Sequence, residues 1–70
     1  MLYNPTNLRN LMIENNISAL KLGEIVGMHR QTIGKHLMGR AEWKGSTLMK
    51  LADYFDVSTD YLLGRTKFPH

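Results

Sequence analysis

Two short amphipathic segments, separated by only three residues, most constrain what this chain can fold into. Apolar residues recur at helical spacing before Gly27, and the same spacing resumes after His29. Glycine suits the left-handed backbone conformation that ends a helix, so residues 27–29 predict a tight turn between two helices. The chain is therefore expected to fold as short helices joined by sharp turns.

Seventy residues allow one small domain with a single hydrophobic core. Apolar residues make up 43% of the chain and charged residues 21%, so we expect a packed domain. There is no cysteine, which excludes disulfides and thiolate metal sites and leaves packing or dimerisation to stabilise the fold. Since the N-terminus lacks a basic segment followed by an apolar run, and no apolar stretch could cross a bilayer, we expect a cytoplasmic protein without a membrane partner.

Helix caps and stops divide the chain into five short helices, and no segment shows sustained strand alternation. The predicted N-caps are Asn4 (with Pro5 as the first helical residue), Ser18, His29, Ser46 and Ser58. The predicted ends lie at Asn15 and Asn16, Gly27, Gly39 and Gly64. The fourth helix has the clearest apolar stripe, which consists of Leu48, Leu51, Ala52 and Phe55. We predict an all-α domain over residues 1–65 and a flexible C-terminal tail over residues 66–70.

The second and third helices fit a helix-turn-helix, in which the second helix of the pair enters the DNA major groove. At about 100° per residue, Ile33 and Leu37 turn toward the core. The exposed side is then expected to carry Arg30, Gln31, Thr32 and Lys35. Arginine can bond guanine and glutamine can bond adenine through two parallel hydrogen bonds, so we expect these four side chains to contact bases. An ordinary polar, wet helix face is the alternative.

The charge distribution separates a basic region from an acidic one. Residues 30–50 contain five basic side chains and one acidic one, whereas residues 51–60 contain three acids and no base. The first region suits a polyanion, although a solvated surface would also explain it. Because helix N-termini present free N–H groups to phosphates, we expect helix starts and loop cations to anchor the DNA backbone. The expected phosphate contacts are Ser18, His29, His36, Arg40, Lys44 and Ser46.

The segment SALKLGEIVGMHRQTIGKHLMG, followed by STLMKLADYFDVSTDYLLGR, resembles the Cro/C1-type helix-turn-helix family of phage repressors and bacterial regulators, also called the XRE family. The resemblance spans roughly residues 8–65. It implies a compact five-helix, lambda-repressor-like DNA-binding domain that usually works as a dimer on a roughly palindromic operator. In that family the positions of Arg30, Gln31 and Lys35 commonly contact bases. Ala19 departs from the pattern, since the family often has glutamine there, and Gly34 lies inside the recognition helix.

Other constellations favour packing over chemistry. His29 and His36 lie about 10.5 Å apart along one helix, too far to share a metal, so we expect no metal and no cofactor. The serines are interpreted as caps without a base or orienting partner, and we expect no enzymatic activity. We expect Trp43 to pack and Met12, Met28 and Met49 to fill the core. For the last helix two roles stay open, covering the core or forming an isologous dimer contact, and the residues concerned are Tyr61, Leu62 and Leu63.

The sequence thus predicts a sequence-specific regulator, a repressor that binds double-stranded DNA as a homodimer and comes from a phage or a bacterium. Seventy residues leave no room for a sensor domain, so we expect no small-molecule ligand. One alternative is an antitoxin, which represses its own operon and also binds a toxin protein. The other is a protein-interaction module that has lost DNA binding, for which Ala19 and Gly34 leave room.

Overall fold

The computed structural model describes residues 4–70, and within them the chain forms five α-helices and no strand. The helices are α1 (Thr6–Glu14), α2 (Ala19–Val26), α3 (Arg30–Leu37), α4 (Gly45–Phe55) and α5 (Thr59–Leu62). The prediction of an all-α, five-helix domain is confirmed.

One core lies at the centre of the bundle, and every helix contributes to it. The side chains that are 0% exposed come one from each helix, in the order Leu8, Leu22, Ile33, Leu51 and Leu62. α2 packs against α3 and α4, while α1 packs against α3 and α5. Because the shortest helix, α5, spans only four residues, its position depends on this packing and not on its own helical propensity.

Three predicted caps form hydrogen bonds at the start of their helices. Ser18 Oγ accepts from the Lys21 N–H at 3.1 Å, and Ser58 Oγ accepts from the Tyr61 N–H at 3.1 Å. His29 caps α3 through its ring, because Nδ1 accepts from the Gln31 N–H at 3.1 Å. The prediction of these three helix starts is confirmed.

Two predicted helix starts differ from the structure. α1 begins at Thr6, one residue after Pro5, although Asn4 Oδ1 still accepts from the Thr6 N–H at 3.0 Å. Ser46 is not the cap of α4. The helix already begins at Gly45, because the carbonyl of Lys44 accepts the first helical hydrogen bond, and no side chain caps this end.

The C-terminal segment lies against α1 and α5. Asn7 Nδ2 donates to the carbonyl of Tyr61 at 2.8 Å and to that of Thr66 at 3.1 Å. The Ser58 N–H donates to the carbonyl of Pro69 at 2.7 Å, so the end of the chain reaches the start of α5. The division into a domain of residues 1–65 and a flexible tail of residues 66–70 stays a prediction.

The remaining packing predictions have mixed outcomes. Trp43 is buried, as expected, and Met12 is also in the core. Met49, however, is 62% exposed, so the prediction that it fills the core is wrong. The reason is its place on α4, about 100° round the helix from Leu48 and away from the apolar stripe. No helix within residues 4–70 has the length and apolar character needed to cross a membrane.

Candidate nucleic-acid interface

The turn between α2 and α3 depends on two glycines. Gly27 adopts a φ of 75°, a left-handed backbone conformation that residues other than glycine rarely adopt. The Met28 N–H donates to the carbonyl of Gly23 at 2.8 Å, which closes the turn over the end of α2. A Cβ at Gly23 would collide with the carbonyl oxygen of Met28 and would lie 3.6 Å from Ile33 Cγ1. Glycine at this position therefore lets α3 pack closely on α2.

α3 turns one side to the core and the other to solvent. Ile33 is fully buried and Leu37 is half-buried, as the spacing predicts. The four predicted base contacts, Arg30, Gln31, Thr32 and Lys35, are all exposed. Within residues 4–70, none of these four side chains forms a hydrogen bond or ion pair. Their donors and acceptors are thus available to a partner outside the chain.

Gly34 is half-buried on α3, with open space where a side chain would lie. A Cβ built at this residue would meet no atom within 4 Å, so packing inside the protein does not require glycine here. Glycine in a helix interior costs about 1 kcal/mol relative to alanine. Gly34 therefore lowers the stability of α3 without a compensating contact inside the chain.

Five of the six predicted phosphate contacts are exposed around α3. Ser18 and His29 lie at the starts of α2 and α3, and Lys44 and Ser46 lie at the start of α4. Arg40 follows the end of α3 and is also exposed. Because Nδ1 of His29 accepts a backbone hydrogen bond, the hydrogen of the neutral ring is on Nε2. His29 can therefore cap α3 and still donate to an anion.

The N-terminal ends of α2, α3 and α4 lack acidic residues in their first turns. A helix N-terminus carries roughly half a positive charge, which a nearby Asp or Glu would usually stabilise. At α4 the cap residue is itself a cation, Lys44, and no side chain accepts from the first turn. These ends leave N–H groups and positive potential available to a phosphate.

His36 does not fit its predicted role. Its side chain is only 6% exposed, Nδ1 donates to the carbonyl of Thr32 at 3.0 Å, and its ring lies against Trp43 with the ring centroids 4.0 Å apart. This burial contradicts the expectation of a surface phosphate contact. His36 follows Ile33 by three residues, and that spacing places both on the same side of the helix. This spacing indicates burial, whereas the polarity of histidine indicates a surface position.

Arg9 was missed by the sequence prediction. From α1, its Nη1 donates to the carbonyl of Leu37 at 3.1 Å, at the last residue of α3. A cation at this position satisfies a carbonyl that the helix leaves unpaired and complements the negative end of its dipole. Arg9 thus fixes the far end of α3. The two residues are 28 positions apart in sequence, so no local pattern signals the contact.

The last helix requires one correction to the expected dimer contact. Leu62 is 0% exposed inside the chain's own core, so it offers no surface to a second subunit. Its core-covering role is the one that the structure shows. Tyr61 and Leu63 are half-buried and keep some exposed surface.

These features define a helix-turn-helix domain whose second helix presents an unpaired polar face. A sequence model of the Cro/C1-type HTH DNA-binding domain matches residues 7–67, so the chain belongs to this family of DNA-binding domains. The resemblance noted from the sequence is confirmed.

Two relatives extend the comparison. The chain is 36% identical over 59 residues to the SPbeta prophage-derived uncharacterized HTH-type transcriptional regulator YonR of Bacillus subtilis, an alignment that covers 84% of this chain and 55% of the relative. The crystal structure of a transcriptional regulator from Listeria innocua is similar with a TM-score of 0.84 and 25% identity, over 91% of this chain and 61% of that one. The chain thus spans little more than half the length of either protein.

Proposed function

We propose that the chain is a sequence-specific transcriptional repressor that binds a palindromic operator in double-stranded DNA as a homodimer, with α3 in the major groove. The observation that carries this proposal is the exposed face of α3. It holds four exposed side chains with hydrogen-bonding groups that have no partner within residues 4–70, and two of them, Gln31 and Lys35, lie opposite the buried Ile33.

Base recognition follows from the chemistry of that face. Arg30 suits guanine and Gln31 suits adenine, because each can form two parallel hydrogen bonds with that base in the major groove. Thr32 can place its methyl group against thymine, and Lys35 lies one turn further along toward guanine or a phosphate. Each well-formed pair discriminates against the wrong base by about 1–3 kcal/mol.

Backbone anchoring is assigned to the starts of α2 and α4 and to the loop between α3 and α4. The N-terminal ends of α2 and α4 have no acid in their first turns, and the exposed Ser18 and Ser46 lie at these ends. Arg40 and Lys44 add charge, and His29 adds a donor. These contacts position the domain on DNA without reading the sequence.

The dimer is proposed on geometric grounds. An eight-residue helix such as α3 reads only a few base pairs, and two copies related by a two-fold axis would double the site. Their recognition helices would lie about 34–36 Å apart, one turn of the duplex, on the same side of the DNA. The exposed parts of Tyr61 and Leu63 are the proposed contact between subunits. A regulator bound in this way represses by occupying the operator.

Selection of bound sequences from a random DNA pool tests the proposal directly. We expect a palindromic consensus, bound by two copies when the complex is sized by analytical ultracentrifugation. Arg30→Ala and Gln31→Ala should each relax the preference at one position of each half-site by about 1–3 kcal/mol. Arg40→Ala should weaken binding to all sequences and flatten the dependence of log affinity on log salt by about 0.9.

Lys67→Ala provides the matched control. Lys67 is an exposed cation in the C-terminal segment, where it lies over the ring of Phe68, so its removal changes net charge equally but leaves the proposed interface intact. For Lys67→Ala, the slope of log affinity against log salt should equal that of the unmodified chain. Equal losses on selected and random DNA for Arg30→Ala, Gln31→Ala and Arg40→Ala would contradict the assignment of base contacts. No binding to any duplex at low salt would favour a protein-interaction module instead.

A further inference from the structure

The loop between α3 and α4 contacts the recognition helix at both of its ends. At its start, the Arg40 N–H donates to the carbonyl of Lys35 at 3.0 Å, and near its end an aromatic contact joins it to α3. This loop, residues 38–44, carries the proposed phosphate contacts Arg40 and Lys44. Near its end, the ring of Trp43 packs against the ring of His36 with 4.0 Å between the centroids and 47° between the ring planes. Both residues are more than nine-tenths buried. The contact therefore joins the element that carries the cations to the element that carries the base contacts.

The ring of His36 has a fixed orientation. Because a carbonyl oxygen can only accept, the 3.0 Å contact between Nδ1 and the Thr32 carbonyl requires the hydrogen on Nδ1. This bond folds the imidazole back along α3, and Trp43 covers it. His36 is thus bonded to the backbone of one proposed base contact while its ring supports the loop that bears Lys44.

An open cleft lies next to this contact. A cleft of about 540 Å³ lies between α3 and the start of α4, and its walls include Thr32 on one side and Lys44 and Ser46 on the other. His36 and Trp43 line it as well, and Glu42 brings the opposite charge to its rim. Across this cleft, the two proposed sets of DNA contacts are linked through His36 and Trp43.

We propose that His36 is a positioning residue that sets the loop of residues 38–44 in register with the recognition helix, so that phosphate contacts and base contacts can form together. This role rests on the proposed function. His36 touches no DNA itself and acts through Trp43. Replacement of the His36 ring should weaken DNA binding and flatten its salt dependence, as the loss of a phosphate contact in the loop would.

The DNA test uses the selected operator and a temperature at which circular dichroism shows every variant to be folded. His36→Leu, which removes the aromatic ring, should lower the slope of log affinity against log salt by about 0.9 for each loop phosphate contact that is lost. Adding Lys44→Ala to His36→Leu should cause no further loss from Lys44, because that contact is already absent. His36→Phe keeps a ring for Trp43 and should retain the slope. Three results would overturn the role. His36→Leu could lower the melting temperature and leave the salt slope unchanged, or its loss of DNA affinity could be fully additive with that of Lys44→Ala. His36→Phe and His36→Leu could also lose the same amount of DNA affinity.

A second measurement needs no DNA. Trp43 is the only tryptophan, and its side chain is 8% exposed with its ring against that of His36. His36→Leu should shift the emission maximum of Trp43 to longer wavelength, because the indole loses its ring partner and gains contact with water. His36→Phe should keep the emission maximum of the parent. An unchanged maximum in folded His36→Leu would overturn the contact, even for a chain that binds no duplex. Absent DNA binding by the unmodified chain would instead refute the proposed function.

Discussion

The charges at the ends of α4 and α5 are arranged in opposite ways relative to the helix dipole. In α4, the N-terminal end has the cation Lys44 as its cap residue and no acid in the first turn, and the C-terminal end carries Asp53 and Asp56 with no base in the last turn. Both arrangements oppose what the helix dipole favours. α5 is the reverse case, since Asp60 lies in its first turn and Ser58 caps it.

This difference shows which helix ends the chain compensates with its own charges and which it does not. At α5, the charge and the cap stabilise the helix that they belong to. At the starts of α2, α3 and α4, positive potential stays uncompensated within the described part of the chain, next to exposed polar side chains. Under the proposed function, phosphate groups would supply the missing compensation, and the stability forgone in the free protein would be recovered on binding DNA.

The largest expected effect lies in α5, the helix whose start is compensated within the chain. Leu62→Ala should lower the free energy of unfolding by about 2–5 kcal/mol, because Leu62 is fully buried and its truncation leaves a cavity. Urea unfolding measures the loss. Its affinity for DNA should be unchanged when it is measured at a temperature at which the variant is folded and at a concentration at which it is dimeric. A variant that is as stable as the parent but no longer dimerises would show that Leu62 faces a second subunit after all.

The corresponding change near the proposed DNA interface is Gly23→Ala, at the contact between α2 and α3. The added methyl group would collide with the carbonyl of Met28, so the turn must shift at a cost of about 1–3 kcal/mol. The shift also moves α3 against α2, and DNA affinity should fall even when the protein is folded. Denaturant unfolding and DNA titration measure the two losses. Unchanged affinity in a folded Gly23→Ala protein would mean that the angle between α2 and α3 does not matter for binding.

Much of this architecture follows from local sequence. Apolar spacing placed Leu8, Leu22 and Ile33 in the core, and Ser18 and Ser58 were identifiable as caps because hydroxyl side chains satisfy the free N–H groups at a helix start. These features depend on neighbours within one or two turns. Local sequence is sufficient for them.

The differences between prediction and structure have physical causes of three kinds. His36 and Met49 were assigned by residue type, although their positions on the helix place the polar ring inside and the apolar chain outside. The contact of Arg9 with α3 joins segments distant in sequence, and no periodicity reports it. The α4 start differs because the backbone of Lys44 forms the first helical bond without a capping side chain. Roles in DNA contact stay predictions, since they depend on a partner.

Gly34 sharpens the comparison within the recognition helix. Gly34→Ala should raise the free energy of unfolding by about 0.5–1 kcal/mol, because the methyl group meets open space and the helix gains propensity. If the bare backbone approaches the DNA closely, the same methyl group weakens binding, and we expect this opposite change. Thermal unfolding and titration of the selected operator measure both. A gain in stability with equal or tighter binding would show that the glycine serves no close approach.

The smallest expected effects come from a matched pair of acidic residues. Asp53 lies in the last turn of α4, where its charge opposes the dipole, so Asp53→Asn should stabilise the protein by about 0.3–1 kcal/mol at low ionic strength. Asp60 lies in the first turn of α5, where its charge is favourable, and Asp60→Asn should destabilise by a similar amount. Its ion pair with Arg65, at 3.9 Å, adds little because both side chains are exposed. Urea unfolding at low and high salt checks the signs, since added salt should shrink both effects. Shifts of the same sign for the two variants would mean that net charge, and not the position of each charge relative to its helix dipole, determines the change in stability.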